Sequence, residues 1–125
     1  MIQMIRLKRI GIVGLLIFFI GLAKANEKDR TEEYLHNAGI AYCLSKSKSY
    51  AYEAGIAQGG YFQRGNHSPE TQKLIERYVD QQLKDELGGY KGTLIKAYLM
   101  RCLEISYSKE YQEQVMHALE FDVSE

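Results

Sequence analysis

From Asp29 onward apolar residues recur at three- and four-residue intervals, and nowhere do they alternate with period two over the length of a strand. The pattern predicts an all-α chain. The first helix starts at Asp29, where Asp29-Arg30-Thr31-Glu32 has the spacing of a capping box with Asp in the capping position. His36, Ile40, Cys43, Leu44 and Ser47 form its inward stripe. It fades in Ser45-Lys46-Ser47-Lys48-Ser49, where short hydroxyl side chains compete for backbone hydrogen bonds. A second helix runs from about Tyr50 to Phe62, with Ala51, Gly55 and Gly59 on one face that carries almost no side-chain volume. Such a face permits close backbone approach, either by a neighbouring helix of the same domain or by a second copy in a homodimer.

Arg64 to His67 reads as a loop, and Ser68-Pro69-Glu70 as a helix start with an N-cap hydroxyl, a first-turn proline and an acid at the positive end of the dipole. Leu74, Ile75, Tyr78, Val79 and Leu83 line that third helix until Gly88-Gly89 stops it near Leu87. Thr93 is placed to cap a fourth helix bearing Ile95, Tyr98, Leu99, Cys102 and Ile105, and Ser108 a fifth bearing Tyr111, Val115 and Leu119. The predicted architecture is a compact bundle of about four to five helices stapled by one disulfide.

The first 25 residues stand apart. Arg6, Lys8 and Arg9 precede an uncharged apolar run of 13 residues, Ile10 to Leu22, and Ala23-Lys24-Ala25 fits a small-x-small cleavage site. The run falls short of the roughly 20 residues a membrane-spanning helix needs. The expectation is a cleaved secretory signal peptide over residues 1–25 and a single domain over 26–125, with a retained anchor as the competing reading. All 16 acidic residues lie after Ala25 and four of the 16 basic ones before it, so the remaining chain has 12 basic residues and a net charge of −4. No basic stripe or nucleic-acid motif is present, which argues against a nucleic-acid partner.

An exported chain with two cysteines predicts a Cys43–Cys102 bridge closing a loop of about 60 residues, worth roughly 4 kcal/mol on the chain-entropy model; two buried free thiols are the alternative. Both cysteines fall on inward stripes. Catalytic chemistry finds no constellation. His36, His67 and His117 lack the spacing of helical metal ligands, and Asp85-Glu86 reads as a solvated helix end. No catalytic residue, metal or cofactor is expected. A binding module remains, with Lys84 to Gly92 as its candidate plug: three glycines permit a tight approach, Tyr90 is an aromatic anchor, and Asp85, Glu86 and Lys91 are polar contacts. A plain helix connection is the other reading of this segment.

Four segments carry a resemblance to a known family: Ala41-Tyr42-Cys43-Leu44, Glu53-Ala54-Gly55, Leu74-Ile75-Glu76-Arg77-Tyr78-Val79, and above all the run Cys102-Leu103-Glu104-Ile105-Ser106-Tyr107-Ser108-Lys109-Glu110-Tyr111. In this order they resemble the immunity proteins that protect bacteria from amidase effectors of the type VI secretion system, the family paired with the fourth class of those amidases. The chain departs from the family pattern at Ser106-Tyr107, where Tyr-His is expected, and at Gly59-Gly60-Tyr61, where bulkier residues with a tryptophan are usual. The resemblance implies a periplasmic, all-helical homodimer that binds a papain-like cysteine amidase acting on peptidoglycan stem peptides and blocks its cleft partly through a protruding loop. By position that loop is Lys84 to Gly92. The rival class is a small disulfide-containing periplasmic chaperone of the acid-stress type, which would loosen at low pH and hold many clients.

Overall fold

A computed structural model of the chain describes residues 30–124, and from Thr31 onward these form one compact unit. The expected signal peptide and the Asp29 cap lie outside the described residues. Five helices follow in order: α1 (30–45), α2 (Ala51–Gly65), α3 (Pro69–Glu86), α4 (Tyr98–Tyr107) and α5 (Lys109–Ser124). Among the described residues, extended pairing is confined to one antiparallel bridge between Gly89 and Lys96.

The organising element is α1, which touches all four other helices. Its Cys43 is bonded to Cys102 of α4 across a Cα–Cα distance of 5.8 Å, and both residues are fully buried. The His36 ring pairs with the Ser106 hydroxyl of α4 at 2.9 Å, while the His36 carbonyl accepts the Tyr111 hydroxyl of α5 at 2.6 Å. The Tyr42 hydroxyl donates to Asp80 of α3, and Tyr34 lies 6.4 Å from Tyr61 of α2, centroid to centroid. A helix surrounded in this way needs more than one apolar stripe. Leu35, Ala38, Ala41 and Cys43 are therefore its most buried hydrophobic residues, whereas Ile40 and Leu44 of the predicted stripe are only partly buried.

Gly39 makes the crossing possible. A Cβ there would collide with the Tyr111 hydroxyl and with Cγ2 of Ile75, both from fully buried residues. Small residues of this kind let helix backbones approach until large side chains from elsewhere fill the space above them. Around that crossing Ile75, Val79, Leu83, Ile105, Tyr111, Val115 and Ala118 complete the core.

Helix ends follow side-chain chemistry. The Ser68 hydroxyl accepts the Thr71 amide at 3.1 Å, with Pro69 in the first turn, and the Ser108 hydroxyl accepts the Tyr111 amide at 3.2 Å, as the sequence predicts. A further contact closes the molecule: Asp122 of α5 accepts both the Ser68 amide (3.1 Å) and the Thr71 hydroxyl (2.9 Å). These hydrogen bonds to the carboxylate, those from Ser68 foremost, hold Asp122 below the usual carboxylate range. A negative group is thus fixed at the positive end of α3.

Two helices differ from expectation. α2 runs through Gly59-Gly60 to Gly65, because Tyr61 and Phe62 pack on Tyr34 and His67 and Asn66, at φ 55°, provides the left-handed cap. Among the described residues its small face packs against nothing: Ala51, Gly55 and Gly59 are exposed, and a Cβ at Gly55 or Gly59 would meet nothing within 4 Å. α4 starts at Tyr98 rather than after Thr93, since residues 88–97 fold back as a hairpin instead of joining the helix. Ile95 and Leu99 of the predicted inward stripe consequently stand exposed, at 62% and 37%.

Candidate functional site

The connection between α3 and α4 is a projecting hairpin with a defined shape. At its base the Ala97 amide donates to the Gly88 carbonyl at 2.9 Å, and one step further the Tyr90 amide donates to Ile95 at 3.1 Å. The tip turns at Tyr90–Thr93, closed by the Thr93 amide on the Tyr90 carbonyl at 3.1 Å. Gly92 occupies the third place of this turn at φ 77°, the left-handed region that favours glycine. Thr93 serves the turn rather than the helix: its hydroxyl donates to the Tyr90 carbonyl (3.0 Å) and accepts the Ile95 amide (3.2 Å).

The segment Lys84 to Gly92, expected to be the plug, is part helix and part loop. Lys84, Asp85 and Glu86 form the last turn of α3, and the loop proper spans 87–97. Asp85 accepts from Gln81 one turn back at 3.0 Å. Glu86 lies 3.5 Å from Arg101, whose largely covered guanidinium also reaches Glu104 at 3.5 Å and Gln82 at 3.0 Å. Tyr90 is half-buried, and its hydroxyl accepts the Met100 amide at 3.4 Å, meeting a first-turn donor of α4 that has no intrahelical partner. Glu86 and Tyr90 thus brace the hairpin against α4. Lys91 alone of the four candidates stands exposed within the tip.

What the tip presents is apolar. Leu94 is fully exposed and Ile95 is 62% exposed. Along α4, Met100, Leu103 and Tyr107 follow at three- and four-residue spacing and are also exposed, so one side of the helix is oily and uncovered. Leu94 and Ile95 escape a sequence reading because Ile95 continues the period of the Tyr98-Leu99-Cys102-Ile105 stripe. The available signal is the three glycines that precede them, which make an early helix start costly.

Elsewhere two titratable side chains, Tyr111 and His67, serve the fold. Burial pushes the Tyr111 hydroxyl well above its usual range, so it stays a donor to His36. His67 pairs with Gln72 at 2.8 Å inside the fold, under the edge of Phe62. Among the described residues no three His, Cys, Asp or Glu side chains group as metal ligands, and no helix is long and apolar enough to cross a membrane.

A family model described as type VI secretion system (T6SS) amidase immunity protein, Tai4, matches residues 32–115, about two thirds of the chain. The chain belongs to that family. The matched span includes both half-cystines, the α1 hub with Gly39, and the whole 87–97 hairpin. A comparison with individually curated proteins gives no match.

Proposed function

We infer that the protein binds its amidase effector directly and occludes the active-site cleft with the 87–97 hairpin, protecting the cell that carries it without catalysis of its own. One observation carries this reading: within a family of amidase immunity proteins, the hairpin holds Leu94 wholly exposed on a backbone closed by its own hydrogen bonds. A preformed loop loses little conformational freedom on docking, which favours tight binding. Lys91 at the tip and Asp85 at the end of α3 supply polar contacts, while Glu86 and Tyr90 hold the loop in shape.

The target in this reading is a papain-like cysteine amidase acting on peptidoglycan stem peptides, and the place of action is the periplasm, reached after loss of residues 1–25. The mature domain is then 26–125. The family match favours this account over an acid-stress chaperone. The protein is expressed from its full chain, purified from the periplasm and mixed with each type VI amidase effector encoded in the same genome; co-elution with one of them as a stoichiometric complex is expected, and separate elution from all of them contradicts the reading.

The second expected property is a homodimer formed through α2. Support comes from its open face, where Gly55 and Gly59 leave space beside exposed Tyr52 and Ile56, at 86% and 62%. Sedimentation of the free protein should give a dimer that Ile56→Glu converts to monomer. A monomeric parent protein removes this part of the account.

A further inference from the structure

Beside the hairpin lies a recess of about 390 Å³, with residues 46–49 of the α1–α2 turn on one wall and Leu94, Ile95, Lys96 and Tyr98 on the other. Three lysines, Lys46, Lys48 and Lys96, are among its lining residues, and no Asp or Glu is. This is unusual in a chain whose residues after Ala25 are net acidic. Lys46 is partly neutralised, with Asp80 at 3.7 Å and the Tyr42 ring beneath it at 4.4 Å. Lys48 and Lys96 are exposed across the recess, and the Ser47 and Ser49 side chains add hydroxyl donors.

We propose that this recess is a second contact for the amidase and receives an acidic segment of it, one or two carboxylate side chains set between Lys48 and Lys96. The proposal rests on the reading that the chain binds an amidase. One observation favours a protein carboxylate over a soluble one. Leu94 and Ile95 belong both to the hairpin tip and to the recess wall, so a surface that covers the tip also covers the opening. Like charges around a concave wall focus a positive field outward, and a partner bearing the opposite sign is steered to it and fixed in register. The hairpin would then provide the occluding bulk and the recess the choice of partner.

The test uses protein purified from the periplasm after expression of the full chain, and the amidase effector of the same genome that it binds. Association is followed at about 0.02 M and about 0.3 M salt, where screening lengths differ several-fold. The double variant Lys48→Glu with Lys96→Glu is expected to lower the association rate at low salt on the order of tenfold and to lose most of the salt dependence. Lys48→Arg with Lys96→Arg keeps both, and circular dichroism of each variant matches the parent. An association rate unmoved by charge reversal, in a complex that Leu94→Asp still weakens, overturns the recess and leaves the immunity reading standing. Binding of a soluble peptidoglycan fragment that the charge reversal abolishes also overturns it, because the carboxylate then comes from the cell wall. Failure of the parent protein to bind any amidase effector of the same genome removes both.

Discussion

The most constrained single position is Gly39, which lies under a buried tyrosine and a buried isoleucine at the point where α1 crosses α3 and α5. Gly39→Ala adds a carbon where the Tyr111 hydroxyl and Ile75 already sit, and neither can move without loss: the hydroxyl serves the His36 carbonyl and Ile75 is core. Overpacking of this kind costs roughly 1–3 kcal/mol. Thermal unfolding should show a midpoint lowered by about 4–8 °C for each kcal/mol in a domain of this size. His36 gives a second test at the same scale. Burial holds its ring below the ordinary 6.5, with Glu33 pulling weakly the other way. The unfolded chain therefore takes up the proton first. Stability is complete above about pH 6.5 and declines as the pH falls below it. Urea midpoints measured from about pH 8 to about pH 5 should fall with acid, and His36→Gln should flatten part of that slope. Identical slopes in the two proteins would assign the acid sensitivity to other groups.

At the scale of elements, the bridge and the caps were legible because each depends on residue types with few alternatives. Two cysteines on inward stripes can meet only each other, and Ser68-Pro69-Glu70 and Ser108 with Glu110 carry the chemistry of helix starts. Gly39 was not legible, since nothing in its own neighbourhood in the chain announces Tyr111, 72 positions on. The hairpin was half legible. Gly88, Gly89 and Gly92 marked a break, but Ile95 continued the period of the α4 stripe, and only the pairing of Gly88 with Ala97 and of Tyr90 with Ile95 fixes where the helix begins. That pairing sets Leu94 and Ile95 beside Lys91 in the exposed part of the loop, with Glu86 and Tyr90 also in contact with α4. The functional consequence is specific. Leu94→Asp changes a side chain that touches solvent only, so unfolding midpoints should stay within about 0.5 kcal/mol of the parent. Affinity for the amidase should fall at least tenfold, because a charge then has to enter an apolar contact. Unchanged affinity in a calorimetric titration would place the binding surface elsewhere, with the exposed side of α4 as the next candidate.

For the whole molecule, physics and family membership answer different questions. Helical periodicity, two inward cysteines and good capping residues predict a stapled helical bundle, and the structure has that bundle, with α1 as hub and the disulfide between α1 and α4. None of this physics names an amidase. The match over residues 32–115 supplies the biological class, and the structure supplies the projecting hairpin, the open face of α2 and the cationic recess through which that class would act. The three surfaces are distinct in chemistry: apolar at the tip, small on α2, positive in the recess. The tip and the recess share Leu94 and Ile95, so substitutions there couple, whereas changes on α2 should leave both working. The central claim is inhibition by occlusion, and the most direct measurement of it is muropeptide release from purified peptidoglycan by the amidase, with the protein titrated in. Release that falls linearly to background at one equivalent, and returns when the Leu94→Asp variant replaces the parent, is the predicted result; full release in the presence of a molar excess of parent protein would contradict the account.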